Sequence, residues 1–215
     1  MIKIYFAKND HEWHKEKLDK MLLPLSEAMR NKILAYKGWQ DRQSRILGKW
    51  LLLRLIAHFK LDLSLADIKY TEFNKPYFTG FNFSTAHSGE MVICAGDING
   101  DIGIDIEKIQ PIVLEDYQEQ LTKNEWAFIQ NTTESIDAFY QIWTKKEALL
   151  KAIGRGVDIE FNLLDVCVDK INYDGKSYSF YPLSIAEGYI AHIATSAPFY
   201  NGAISAEAIP LINKE

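Results

Sequence analysis

The chain switches from helical to strand-like periodicity twice, and this repeat limits its fold more than any other feature. Residues 2–6 alternate as a strand. Residues 10–23 read as a polar helix that stops before Pro24, Ser26 is placed as the N-cap of a second helix, and 41–59 form a longer third. Trp50-Leu-Leu-Leu-Arg-Leu-Ile56 is apolar on nearly every side, so that helix is expected at the centre of the fold. Short β-type segments follow at 81–86, 91–95 and 101–106, the last two expected to form a hairpin through Gly96-Asp-Ile-Asn-Gly100. The pattern then restarts. Thr122 and Glu125 frame a capping box before a helix to about residue 130, and a long helix at 137–153 ends at Gly154-Arg-Gly156. Strands are expected at 163–168, 177–181, 188–195 and 202–209. Residues 91–107 can also be laid beside 189–208. The expected fold is α+β, a pseudo-twofold duplication of two similar α/β halves, residues 1–109 and 110–215, with the site at their interface.

A chain of 215 residues, 47% hydrophobic and 25% charged, can bury a sizeable core and is expected to be ordered throughout. No apolar run approaches the roughly 18 residues of a membrane span and the N-terminus lacks a long apolar region, so a cytoplasmic protein with no membrane partner is expected. Cys94 and Cys167 sit in strand-like apolar settings without metal spacing and are expected as buried thiols. The net charge of −5 argues against nucleic acid as a partner. Residues 30–60, however, carry eight Lys and Arg against the single acid Asp41, which suits either a local anionic ligand or a solvated basic helix face.

Two acidic patterns carry chemistry. In Ile102-Gly-Ile-Asp-Ile-Glu107, the isoleucines share one strand face while Asp105 and Glu107 share the other. Like charges at that spacing repel, which makes sense if a cation lies between them, and hard oxygen ligands favour Mg²⁺, with Mn²⁺ as the alternative. In Trp143-Thr-Lys-Lys-Glu-Ala-Leu-Leu-Lys151, the residues Trp143, Glu147 and Lys151 form one helical stripe. His87 ends a β-type segment just before Gly89, and Pro76 fixes the chain direction at Lys75. Each pattern alone also fits an ordinary surface or structural role.

Together Asn74-Lys-Pro76, His87-Ser-Gly89, Gly103-Ile-Asp-Ile-Glu107 and Trp143-Thr-Lys-Lys-Glu-Ala-Leu-Leu-Lys151 resemble the 4′-phosphopantetheinyl transferase superfamily, in its larger, monomeric, surfactin-synthetase-activating type. The resemblance spans roughly residues 24–160. It implies an enzyme that moves the 4′-phosphopantetheine arm of coenzyme A onto a serine of an apo acyl or peptidyl carrier protein, with Mg²⁺, releasing adenosine 3′,5′-bisphosphate. On that resemblance Asp105, Glu107 and Glu147 are the metal ligands, and Glu147 and Lys151 the catalytic pair. Lys75, His87, Ser88, Arg42, Arg45, Lys146 and Lys151 are the implied coenzyme A contacts. The family usually has Ser-His-Ser where this chain has Ala86-His87-Ser88. With that hydroxyl missing and Thr85 expected on the opposite face, Arg42 or Arg45 is expected to bear more of the 3′-phosphate contact. A Mg²⁺-dependent nucleotidyl or phosphoryl transferase acting on another acceptor, and a duplicated module that binds coenzyme A without catalysis, are the alternatives.

Overall fold

The computed structural model describes residues 1–155, 160–198 and 204–209. Gly156 of the expected helix stop and Gly202 of the last expected strand lie outside the described residues. The first half opens with strand β1 (Ile2–Lys8) and three helices, α1 (Lys15–Leu22), α2 (Glu27–Leu34) and α3 (Trp39–His58). A two-stranded ribbon, β2 (Lys69–Tyr70) with β3 (Pro76–Tyr77), then leads into β4 (Asn82–Ser88) and β5 (Met91–Asp97). The second half runs β6 (Ile102–Lys108), α4 (Lys123–Gln130), α5 (Ser135–Ile153), β7 (Lys170–Tyr173), β8 (Lys176–Leu183), β9 (Tyr189–Thr195) and β10 (Ile204–Ala208).

Local chemistry accounts for several boundaries. The Ser26 hydroxyl accepts from Met29 N, and Thr122 and Glu125 cap each other's backbone at the start of α4. Gly154, at φ 81°, closes α5 in the left-handed conformation, its N–H donating to Leu150 O. The apolar run of α3 is central as expected, with Leu51, Leu52, Leu55 and Ile56 buried against β-strand residues such as Phe83, Val92 and Cys94.

Strand pairing departs from the expectation in two ways. One sheet has the order β10-β1-β5-β4 and the other β6-β9-β8-β7. The expected β5–β6 hairpin does not form, because β1 and β4 already occupy both edges of β5. Strand β6, ahead of the expected boundary at 110, therefore pairs with β9, and β10 returns to lie parallel to β1. Residues 163–168 are not a strand either: a short helical turn at Phe161–Leu163 gives way to irregular chain whose polar groups are taken by side chains. Cys94 is buried as expected but Cys167 is exposed, on this irregular stretch.

The two sheets meet face to face. Ile102, Ile104 and Ile106 of β6 pack with Ile2, Ile4, Ile93 and Ile193 in one core between them, so the isoleucine face of the acidic strand is buried as its alternation required. Ser84 and Ser88 of β4 stitch the sheets together, their hydroxyls accepting from Ile104 N (3.1 Å) and Lys108 N (3.1 Å). Helix α3 covers β1 and β5, and α5 covers β6 and β9.

His192 lies under α5, its Nδ1 2.8 Å from the Thr144 hydroxyl, and burial, with Lys145 adding to it, holds its pKa down to about 4. The unfolded chain takes up that proton below its ordinary pKa of about 6.5 while the folded one does not, so stability falls as pH drops from there towards 4, by about 3 kcal/mol over the whole window. Denaturant unfolding of wild type and His192→Gln at pH 7 and pH 4.5 checks this. The stability difference between the two proteins is expected to shift by most of that amount, with wild type losing more.

Candidate active site

A cleft of about 550 Å³ opens between α2, α3 and β4 on one side and β6 and α5 on the other. Asp105, Glu107, Glu147 and Lys151 form its acidic wall, and Lys32, Arg45, Lys49 and His87 its basic one. The acidic wall depends on close contact between α5 and β6. A side chain at Gly103 would collide with the Ala148 carbonyl oxygen and the Ala152 amide, so glycine alone lets the helix settle on the strand. Glu147 and Lys151, one turn apart on α5, then face Asp105 and Glu107, two residues apart on β6.

Lys151 Nζ lies 2.6 Å from Asp105 Oδ1, while Asp105 Oδ2 is buried with no hydrogen-bond partner among the described residues. Burial pushes the carboxyls of Asp105, Glu107 and Glu147 above the usual range. Lys151 opposes that at Asp105 and Glu147; at Glu107 the Ser88 hydrogen bond opposes it, and the charge of Asp105 adds to it. Three crowded carboxylates with an orphaned buried oxygen fit the donor chemistry of a divalent cation. Among the described residues, no three such side chains converge closely enough to hold one as they stand.

On the basic wall, burial lowers the pKa of His87 and Arg45 lowers it further. The Arg45 guanidinium stacks 3.8 Å from the Tyr36 ring centroid, and Tyr36 also lines the cleft. Burial likewise lowers Lys49. Tyr36 was not singled out from the sequence, Lys32 and Lys49 entered only as members of the basic 30–60 segment, and Thr85 was set aside as a substitute for the missing serine. The i, i+4 spacing of Arg45 and Lys49 on α3 was the available signal.

Four expected cofactor contacts do not line this cleft, although Lys75 lines a smaller cavity of about 260 Å³ beside it. Arg42 donates to the Tyr36 and Lys37 carbonyls at 2.9 and 2.8 Å, fixing the turn before α3, and does not line the cleft. Lys75 sits behind the C-terminal end of α5, its ammonium donating to Ala152 O at 2.8 Å, where a cation meets the free carbonyls of a helix end, and burial lowers its pKa to about 8. Ser88 donates to Glu107 Oε2 at 2.7 Å and so holds a wall carboxylate. Lys146 is 1% exposed and paired with Glu125 at 2.8 Å, on the side of α5 away from the cleft.

The strand parity of β4 puts Thr85 opposite position 86 as expected, but on the side that His87 shares. Thr85 and His87 share the cleft face, Ser84 and Ser88 turn to β6, and Ala86, on the β6 side, also edges the cleft. Ala86 is buried in the core between the sheets. A serine hydroxyl at 86 would be turned towards β6, and it is Thr85 that presents a hydroxyl beside His87.

A cleft whose carboxylates and lysine face a rim of cations has the makeup of a site for an anionic ligand. The profile described as 4′-phosphopantetheinyl transferase superfamily matches residues 101–188. The chain is 30% identical over 196 residues to 4′-phosphopantetheinyl transferase Sfp of Bacillus subtilis (strain 168), covering 88% of this chain and 85% of that protein. It is 30% identical to ffp of Bacillus subtilis, covering 81% and 79%, and 28% identical to the L-aminoadipate-semialdehyde dehydrogenase-phosphopantetheinyl transferase of Schizosaccharomyces pombe, covering 72% and 74%. The chain belongs to the 4′-phosphopantetheinyl transferase superfamily, in its Sfp-type branch, and is an enzyme of that class.

Proposed function

We propose that the protein transfers the 4′-phosphopantetheine arm of coenzyme A to a serine of an apo acyl or peptidyl carrier protein and releases adenosine 3′,5′-bisphosphate. The observation that carries this reading is the meeting of Asp105, Glu107, Glu147 and Lys151 on one wall of a cleft whose other wall is cationic. Coenzyme A is an anion at both ends of its nucleotide half, and the two walls suit those two ends. His87, Arg45, Lys49 and Lys32 take the 3′-phosphate side. Lys151 places its charge beside the phosphate being transferred.

The serine oxygen forms a bond to the pantetheine-side phosphorus as the bond from that phosphorus to the bridging pyrophosphate oxygen breaks, and the departing oxygen leaves on adenosine bisphosphate. Glu147, beside Lys151 on the cleft wall, accepts the serine proton. Asp105, Glu107 and Glu147 would hold Mg²⁺, which when bound there neutralises pyrophosphate charge. The strand–helix–strand–strand order of β1, α3, β4, β5 recurs in β6, α5, β8, β9. That recurrence supports a pseudo-twofold pair of halves, joined between β5 and β6.

Incubation with coenzyme A, Mg²⁺ and several apo-carriers, followed by weighing each carrier for the added arm, tests the reaction. Cofactor choice tests the basic wall. His87→Ala is expected to shrink the preference for coenzyme A over 3′-dephospho-coenzyme A by about 10- to 100-fold in kcat/KM, the worth of a charge-assisted hydrogen bond. Ala86→Ser, aimed at β6, is expected to leave that preference where it was. An unchanged ratio in His87→Ala would mean that the 3′-phosphate is held elsewhere.

A further inference from the structure

We infer that Glu125 and Lys146 form a buried strut that fixes the 161–166 segment against the active-site helix, which makes Lys146 a positioning residue for transfer rather than a coenzyme A contact. The inference rests on the transfer reading for its kinetic part only. An ammonium has three protons, and those of Lys146 face three acceptors: Phe161 O at 2.5 Å, Leu164 O at 2.6 Å and Glu125 Oε2 at 2.8 Å. No donor remains for a ligand, and the side chain is sealed from the cleft.

Glu125 is equally committed. Its Oε2 also accepts from Thr122 N at 2.8 Å, completing the cap of α4, and its Oε1 accepts from Val166 N at 2.9 Å. A capping glutamate needs no burial, yet this one is 0% exposed. A buried ion pair adds little net stability over an apolar pair of the same size, so its worth here lies in the directions its hydrogen bonds impose. Beyond the turn at Phe161–Leu163, residues 164–166 have no regular structure, and the pair bonds Leu164 O and Val166 N while Lys145 takes Val166 O.

The segment matters because of Phe161. Its ring stacks on Trp143 with centroids 5.2 Å apart, and Trp143 heads the stripe that carries Glu147 and Lys151. Phe161 also closes a second cavity of about 260 Å³, shared with Thr85, Glu147 and Lys151. Loosening 161–166 therefore releases the wall beside the reacting groups while leaving the basic wall untouched.

The test uses Lys146→Met, Glu125→Gln and the double variant in the full chain. Hydrogen exchange in a peptide covering 160–168 is expected to quicken at least about tenfold in each, with α3 unchanged. For coenzyme A transfer, kcat is expected to fall about tenfold or more while the Kd for adenosine 3′,5′-bisphosphate stays within about twofold, and the double variant is expected to be no worse than the poorer single. Two results overturn the inference. If Lys146→Met weakens adenosine bisphosphate binding while Glu125→Gln keeps wild-type kinetics, Lys146 is a direct contact. If both variants melt earlier but keep wild-type kcat and KM, the pair is only structural. Should the wild type arm no carrier at all, the transfer reading fails, while the exchange in 160–168 still decides whether the strut exists.

Discussion

Asp105→Asn is expected to remain folded and to lose transfer activity by about 100-fold or more, the scale seen when one preorganised charge is removed from a reacting centre. Asp105 is 4% exposed, and burial already works against its charge, so a neutral isostere relieves desolvation while giving up the Lys151 ion pair. These opposing effects should leave thermal stability close to wild type. Activity has no such compensation, because the carboxylate holds Lys151 on the cleft wall and carries the oxygen that has no partner among the described residues. Glu107→Gln and Glu147→Gln are expected to behave alike, and combining any two should cost less than the sum of the singles, since all three would serve one ion. Rates from carrier mass at several Mg²⁺ concentrations, with unfolding curves beside them, check this. If two of the three variants keep near-wild-type rates at low Mg²⁺, the carboxylates do not share a cation.

The acidic wall was legible in the sequence because both of its parts obey short-range periodicity. Alternation put Asp105 and Glu107 on one strand face, and a four-residue spacing put Glu147 and Lys151 on one helix face. What failed depended on partners far away in sequence. No local rule says that β1 fills the edge of β5, so the β5–β6 hairpin looked sound until β9 proved to be the partner of β6. Lys146 adjoins Glu147 in the motif, but neighbouring helical residues point about 100° apart. Its partner Glu125 lies on another helix. Lys75 was a coenzyme A contact by resemblance alone; the chain turns at Asn74 with φ 61° and sends its ammonium to the end of α5, where it lines the second cavity with Glu147 and Lys151. Thr85 is a different kind of slip: alternation rightly put it opposite position 86, and the same alternation put it beside His87, so setting its hydroxyl aside was the mistake.

The close approach of α5 to β6 gives the second large effect. Gly103→Ala is expected to destabilise the fold by about 1–3 kcal/mol or more and to lower kcat on the order of 100-fold, because the new methyl group meets backbone that cannot rotate away. Its neighbours would be the Ala148 carbonyl oxygen and the Ala152 amide, both inside the ordered length of α5, so the helix as a whole must lift from the strand. Lifting it carries Glu147 and Lys151 away from Asp105 and Glu107, while His87, Arg45 and Lys49 stay on β4 and α3. The Kd for adenosine 3′,5′-bisphosphate should therefore change little as kcat collapses. Trimming a side chain offers no rescue, since the clash is with main chain: Gly103→Ala with Ala148→Gly should be at least as impaired as Gly103→Ala alone. Denaturant unfolding, steady-state transfer and calorimetric binding on the single and double variants decide the point. Wild-type kcat in Gly103→Ala would mean that α5 has slack over β6 and that the acidic wall is set by some other contact.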